Sequence, residues 1–282
     1  MILIFGSLNV DFCFALDALP APGQTLLASA MRIEPGGKGA NQALAARRAG
    51  ADVTMVGAVG RDPLAEIALS NLRAEGVDIS GVAAVDAPTG CASICTDAKA
   101  ENQIAVALGA NALAKASQID SALLARASHV LMQGESEPTE VETLIFRAKD
   151  ADVRVILNLA PVVALSERAL RNVDVLVVNE DEAGTLASRF SCEATAKGLH
   201  IALGMDVIRT LGREGAEAAS LDGLFHVPAE KIMPVDTTGA GDAFVGALAA
   251  ALDRDEPLPL AMRNANKAAA QACLMRGGQG RA

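Results

Sequence analysis

The sequence has no tryptophan and no tyrosine, and seven phenylalanines among 282 residues, so it offers few rings to stack on a nucleobase. Positive charge is short as well. The 24 Lys and Arg stand against 34 Asp and Glu, for a net charge of -10 and a pI near 4.8, which argues against nucleic acid, whose phosphates demand a basic face. Long apolar runs are missing: the best of them, such as Ala243 to Leu252, fall short of a bilayer. The first residues carry no basic stretch or cleavage site, and Met1-Ile2-Leu3-Ile4-Phe5 reads straight into a buried strand, so no membrane partner and a cytoplasmic location are expected. The cysteines, Cys13, Cys91, Cys95, Cys192 and Cys273, are odd in number and scattered in apolar surroundings, as reduced packing residues would be. His129, His200 and His226 have no Cys or His at ligand spacing and read as structural.

Apolar, β-rich runs alternate with helical patterns along most of the chain. Residues 2 to 5, 53 to 56, 130 to 132, 153 to 157, 175 to 178 and 207 to 211 read as strands. Residues 40 to 49, 64 to 75, 137 to 149, 240 to 252 and 259 to 274 read as helices. Near-continuous apolar strands separated by helices imply a parallel sheet covered on both faces. Residues 10 to 33 and 89 to 107 break the alternation: they are extended and interrupted by Pro20, Pro22, Gly23, Pro88 and Gly90, which suggests a small separate β-sheet acting as a lid. Without repeats, low-complexity tracts or Ser/Gly linkers, one domain over 1–282 carrying that lid is expected.

The stretch Val235 to Leu248, V-D-T-T-G-A-G-D-A-F-V-G-A-L, reads as a loop feeding a helix. The first amides of a helix have no intrahelical partner and the macrodipole adds positive charge, so Gly239, Ala240 and Gly241 would hold an anion without a basic side chain. Asp242 then has two readings: an ordinary helix cap, or a base that takes a proton from a hydroxyl attacking a phosphate. Gly6-Ser7-Leu8-Asn9-Val10-Asp11 follows the first strand and puts Asn9 and Asp11 at the carboxyl edge of the sheet, either as a polar turn or as partners for sugar hydroxyls. Pro35-Gly36-Gly37-Lys38-Gly39-Ala40-Asn41-Gln42 is a second glycine loop opening a helix; it lacks the Walker A spacing, and the 239–244 stretch lacks the dinucleotide G-x-G-x-x-G. Asn179-Glu180-Asp181-Glu182 supplies either helix-start acids or oxygen ligands for the magnesium of a nucleotide.

Taken in order, these stretches resemble the ribokinase-like (PfkB) carbohydrate kinases. The likeness covers nearly the whole chain: G-S-L-N-V-D at 6–11, P-G-G-K-G-A-N-Q-A at 35–43, G-R-D-P at 60–63, P-T-G at 88–90, L-M-Q-G-E at 131–135, N-E-D-E-A at 179–183, T-L-G at 210–212 and D-T-T-G-A-G-D-A-F at 236–244. The resemblance implies a three-layer α/β/α fold with a mainly parallel central sheet and a small β lid that often clasps a second subunit's lid in a homodimer. It implies an ATP-dependent sugar kinase acting on the terminal hydroxyl of a pentose, D-ribose first. Asp242 would be the base, and the amides of Ala240, Gly241 and Asp242 the anion hole, entered by Gly239. Asn9, Asp11, Gly37, Lys38, Asn41 and Glu135 would hold the sugar. Asn179, Thr210, Gly212, Gly215 and Gly241 would meet the nucleotide, with Asn266 near its adenine and Glu182 positioning Mg2+ through water.

Potassium is the family's monovalent cation, and its ligands would come from Asp236, Thr238, Ala272, Met275 and Gly277. Here Arg281 stands where a small hydroxyl residue is usual. A cation beside a cation site is unfavourable, so Arg281 either takes the ion's place or lies idle near the chain end. Arg209, inside an apolar strand, and Leu159, at a usual proline position, are further departures. The alternatives left open are a relative acting on deoxyribose, a sugar acid or a nucleoside, and a non-catalytic sugar or nucleotide sensor.

Overall fold

Ile2-Leu3-Ile4-Phe5 is apolar at every position, which suits a strand covered on both sides, and in the computed structural model all four side chains are fully buried inside a large sheet. The structure describes residues 1–99 and 101–280. Arg281 lies outside the described residues.

The chain runs through β1 (Ile2–Phe5), β2 (Asn9–Ala15), β3 (Ala30–Gly36), α1 (Lys38–Arg48), β4 (Val53–Gly60), α2 (Pro63–Ala74) and β5 (Asp78–Val85). Next come β6 (Gly90–Thr96), β7 (Asn102–Ala107), α3 (Ser121–Ala125), β8 (His129–Gln133), α4 (Pro138–Asp150), β9 (Arg154–Asn158) and α5 (Glu167–Leu170). The rest comprises β10 (Val175–Val178), α6 (Glu180–Phe190), α7 (Ala196–Leu203), β11 (Asp206–Thr210), β12 (Ala216–Ser220), β13 (Gly223–Val227), α8 (Ala240–Asp253) and α9 (Leu258–Cys273).

Nine strands form the main sheet in the order β13-β12-β11-β10-β9-β8-β1-β4-β5. All neighbours from β11 to β5 are parallel, while β12 and β13 add an antiparallel edge. Successive side chains of a strand point to opposite faces, and the core divides accordingly. Ile2 and Ile4 join a cluster with residues of α1, α2, α8 and α9, whereas Leu3 and Phe5 join one with residues of α4, α5, α6 and α7. This is the three-layer α/β/α fold. No helix among the described residues is long and apolar enough to cross a membrane.

The lid segments form a separate four-stranded sheet, β3-β2-β6-β7, antiparallel except for the parallel pair β2 and β6. Its first pair of strands reaches Gly36, slightly beyond the expected 10–33. The G-R-D-P and P-T-G motifs meet at its base. Asp62 caps α2 by accepting from the amides of Leu64 (3.0 Å) and Ala65 (3.2 Å), and also accepts from the Thr89 amide (2.7 Å) and hydroxyl (2.8 Å). The Thr89 amide above all, with those other donors, holds the Asp62 carboxyl below the ordinary carboxylate range.

Several elements escaped the periodicity. β5, β12, β13 and α3, α5, α6 and α7 are additional to the strands and helices expected, and the helix starts differ by one or two residues. Arg209 does not break β11, because its side chain pairs with Glu217 of β12 and donates to the Ala194 carbonyl.

Candidate active site

Both glycine-opened helices, α1 and α8, begin at the carboxyl edge of the sheet without a side-chain cap. Gly37 (φ 91°) and Gly239 (φ 76°) occupy their cap positions in a backbone region that a Cβ disfavours. Asp242 is the third residue of α8 and not its cap, so the capping explanation for this acid does not hold. Instead its carboxylate is buried and oriented from α1: Asn41 Nδ2 donates to Oδ2 and Gln42 Nε2 to Oδ1, each at 2.9 Å.

Those two donors are themselves fixed. Gln42 Nε2 also donates to Asn158 Oδ1 (2.9 Å), and Gln42 Oε1 accepts from Gln133 Nε2 (2.8 Å). Asn158 in turn donates to the Val177 carbonyl (3.1 Å), and Asn41 Oδ1 accepts from Gln279 Nε2 (3.0 Å). Three strands and the segment after α9 thus hold one carboxylate. The sequence did not point to Gln42, Gln133, Asn158 and Gln279 as partners of Asp242, although Gln42 follows Asn41 in the glycine-loop motif and Gln133 lies in the L-M-Q-G-E motif.

The amide of Ala240 donates to the Thr237 carbonyl (3.2 Å), and the first bond of the helix proper runs from the Ala243 amide to the Gly239 carbonyl (2.8 Å). Between them, the amides of Gly241 and Asp242 have no backbone partner among the described residues, while the third amide expected there, that of Ala240, is engaged in the turn. They adjoin a cavity of 140 Å³ lined by Lys38, Asn158, Asn179, Glu182, Thr210, Gly239, Gly241 and Asp242, among others. Lys38 stays firmly charged there, chiefly through Asp242 and then Glu135 and Glu182, against the desolvation of its ammonium. Burial pushes the Glu182 carboxyl above the ordinary range, opposed by the Asn179 amide and by Lys38.

Next to this cavity the remaining sugar-site candidates converge. Glu135 Oε2 accepts from the Ser7 hydroxyl (2.5 Å) and from the Lys38 amide (3.2 Å), so this acid, distant in sequence, caps α1 in place of a local side chain. Asn9 is buried and its Oδ1 accepts from Asn111 Nδ2 (2.7 Å), which leaves the Asn9 amide nitrogen as a donor. Asn111 follows no motif and nothing in the sequence singled it out. Burial, then Glu135, Glu34 and Asp242, raise the Asp11 carboxyl to about 6.

The expected nucleotide residues divide. Asn179 and Glu182 form a reciprocal capping box on α6, each side chain accepting from the other's amide at 2.8 Å, while also lining the 140 Å³ cavity. Gly212, Gly215 and Asn266 lie outside that cavity. The Asn266 amide group donates to the carbonyls of Val227 (3.0 Å) and Pro228 (3.1 Å), where Gly215 also packs, making a corner at the end of β13.

The cation candidates divide too. Asp236, Thr238 and Gly277 line a 600 Å³ cavity beneath the lid, whereas Ala272 and Met275 border a 440 Å³ groove between α1, α8 and α9. Asp236 already accepts from the Thr238 and Gly277 amides (2.9 Å each), and the Ala272 carbonyl accepts from the Met275 amide (3.0 Å). Burial pushes the Asp236 carboxyl up, but the two amides outweigh it and keep the group below its ordinary range. The Thr238 and Gly277 amides thus close the turn around Asp236. All five cysteines are free, and burial, with Glu34 and Asp11, pushes the Cys13 thiol up to about 11.

A model described as the pfkB family of carbohydrate kinases matches residues 1–281. A ribokinase of Bacillus subtilis is 34% identical over an alignment covering 99% of this chain and 94% of its own. A deoxyribokinase of Salmonella typhi is 35% identical, with 88% and 84% covered. Among solved structures, a ribokinase of Thermotoga maritima superposes with a TM-score of 0.91 at 31% identity, covering 99% of this chain and 94% of that one.

Proposed function

Because the chain belongs to the pfkB family of carbohydrate kinases, we propose that it transfers the γ-phosphate of ATP to the terminal hydroxyl of a pentose, D-ribose before others, giving ribose 5-phosphate. The observation that carries this reading is the Asp242 carboxylate, buried and held by Asn41 and Gln42 beside two unpartnered helix amides.

The sugar sits against Asn9, Asp11, Asn41 and Glu135, with its terminal hydroxyl at Asp242. Asp242 takes the hydroxyl proton as the oxygen forms its bond to the γ-phosphorus and the bond from phosphorus to the departing ADP oxygen breaks. Gly241 and Asp242 amides and the Lys38 ammonium stabilise the charge on the moving phosphoryl group. Thr210, Gly212, Gly215 and Asn266 border the nucleoside end.

Mg2+, bound by the nucleotide phosphates, would neutralise their charge. No group of three or more His, Cys, Asp or Glu placed to hold a metal occurs among the described residues, so the ion's ligands from this chain would be few. Glu182, with Oε2 tied to the Asn179 amide beside the phosphate cavity, suits a role through water.

Replacing Asp242 by Asn should preserve sugar and ATP binding and lower turnover by about two to four decades. Turnover within threefold of the parent would reject the assignment. A panel of pentoses, hexoses, sugar acids and nucleosides, read by ADP release, tests the substrate. The Salmonella relative makes 2-deoxyribose the second reading, and a higher kcat/KM for it than for ribose would establish that reading. We further propose that two copies join through their lids.

A further inference from the structure

Asp11 and Cys13 of β2 stand opposite Glu34 and Arg32 of β3, and all four line the 600 Å³ cavity together with Asp236, Thr238 and Gly277. Residues two apart on a strand share a face, so the inner face of the lid presents an ion pair, Arg32 Nε to Glu34 Oε1 at 2.8 Å, toward the loop that leads into α8. A Cβ at Gly277 would collide with the Glu34 carboxylate, so the Glu34 end of the pair rests directly on that turn. The Gly277 amide donates to Asp236, and Asp236 receives the Thr238 amide immediately before Gly239.

We propose that Arg32, clamped by Glu34, is a positioning residue: it ties the lid to the Asp236–Gly277 turn and through it orders the loop that presents the Gly241 and Asp242 amides. The inference rests on the kinase reading only for its kinetic arm. Its physical basis is the contact of Glu34 with Gly277, the Asp236 hydrogen bonds that tie Gly277 to Thr238, and the Arg32 charge paired with Glu34 in the cavity that Asp236 also lines. Arg32 is among the charges that draw the Asp236 carboxyl down.

The experiment uses the full chain as Arg32→Gln, Arg32→Lys and Glu34→Gln, with D-ribose and ATP as probes. Arg32→Gln and Glu34→Gln should each lower kcat about tenfold, the low end of what a charge-assisted hydrogen bond contributes, with the KM for ATP within about twofold. Amide hydrogen exchange over 235–241 and at 277 should accelerate, while the main sheet exchanges as before. Arg32→Lys should recover most of both effects. Unchanged exchange together with kcat within about twofold overturns the proposal. So does a rise in sugar KM alone with unchanged exchange, since Arg32 would then touch sugar and not order the loop. If the unmodified chain phosphorylates no sugar, the kinase reading fails, and the exchange comparison still decides the role of Arg32.

Discussion

Asp11 titrates near 6 because burial and three neighbouring acids penalise its charge, and both affinity and stability should register this. The group is charged above that pH and neutral below it, so its capacity to accept from sugar hydroxyls fades on acidification. Sugar KM should rise as pH falls through about 6, and in Asp11→Asn it should be higher and lack this limb. The sign for folding is opposite. A folded pKa above the ordinary 3.8 means a penalty that is absent below 3.8, grows through the interval and is complete above about 6. The Asn variant should therefore gain in Tm at pH 8 and gain nothing at pH 4, a comparison that thermal scans settle. Gln42 supports Asp242 differently. Gln42→Leu strands Gln133 Nε2 and Asn158 Oδ1 and removes one donor from Asp242, at about 1–3 kcal/mol for each buried group left unpaired. Urea denaturation should show that loss and turnover should fall, whereas intact stability would mean the amide ladder is dispensable.

The lid hangs on Asp62, which serves α2 as its cap and Thr89 as its acceptor. Asp62→Ala should cost about 1 kcal/mol, the usual value of a cap, and, on the proposal that the sugar binds under the lid, should raise sugar KM more than ATP KM. Equal changes in the two KM values would place the motif outside lid control. The short, wholly buried strands β1 and β10 are apolar throughout and match the expected boundaries, whereas β4, equally buried, runs to Gly60, beyond the expected 53–56, because its second half is Gly-Ala-Val-Gly. β12, Ala-Glu-Ala-Ala-Ser, was illegible because alanine favours helices and the strand exists by pairing with β11 and β13. The site shows the same division. Glycine loops and Asp242 announce themselves locally, whereas Asn111 acts across 102 residues and leaves no local pattern, and the motif around Gln133 does not show its reach of 91 residues to Gln42. Nor could spacing show that Glu135 caps α1, whereas the Asn179-x-x-Glu182 box that caps α6 is a pattern visible in the sequence.

Over the whole molecule, β7 is exposed along its length: Ile104 and Val106 leave apolar surface on the lid face that also carries Asp11 and Cys13, while Met31 and Ile33 of β3 leave some on the opposite face. In the proposed dimer a second copy's lid would cover the Ile104 and Val106 side of β7. Ile104→Glu combined with Val106→Lys should convert a dimer to a monomer in sedimentation velocity while leaving Tm nearly unchanged, because neither side chain enters the core. A parent that sediments as a monomer at micromolar concentration would remove the dimer from the account. The position of β1 has a consequence for how the molecule is made. It lies between β4 and β8, so the chain must extend past Gln133 before this strand has both neighbours, and Asp242 meets Asn41 and Gln42 only across about 200 residues. During synthesis the early strands wait with an open edge, a state in which chaperones or aggregation compete for them. Catalytic competence therefore arrives late in synthesis, and a ribosome-stalled chain ending before α8 should hold much of the sheet and transfer no phosphate.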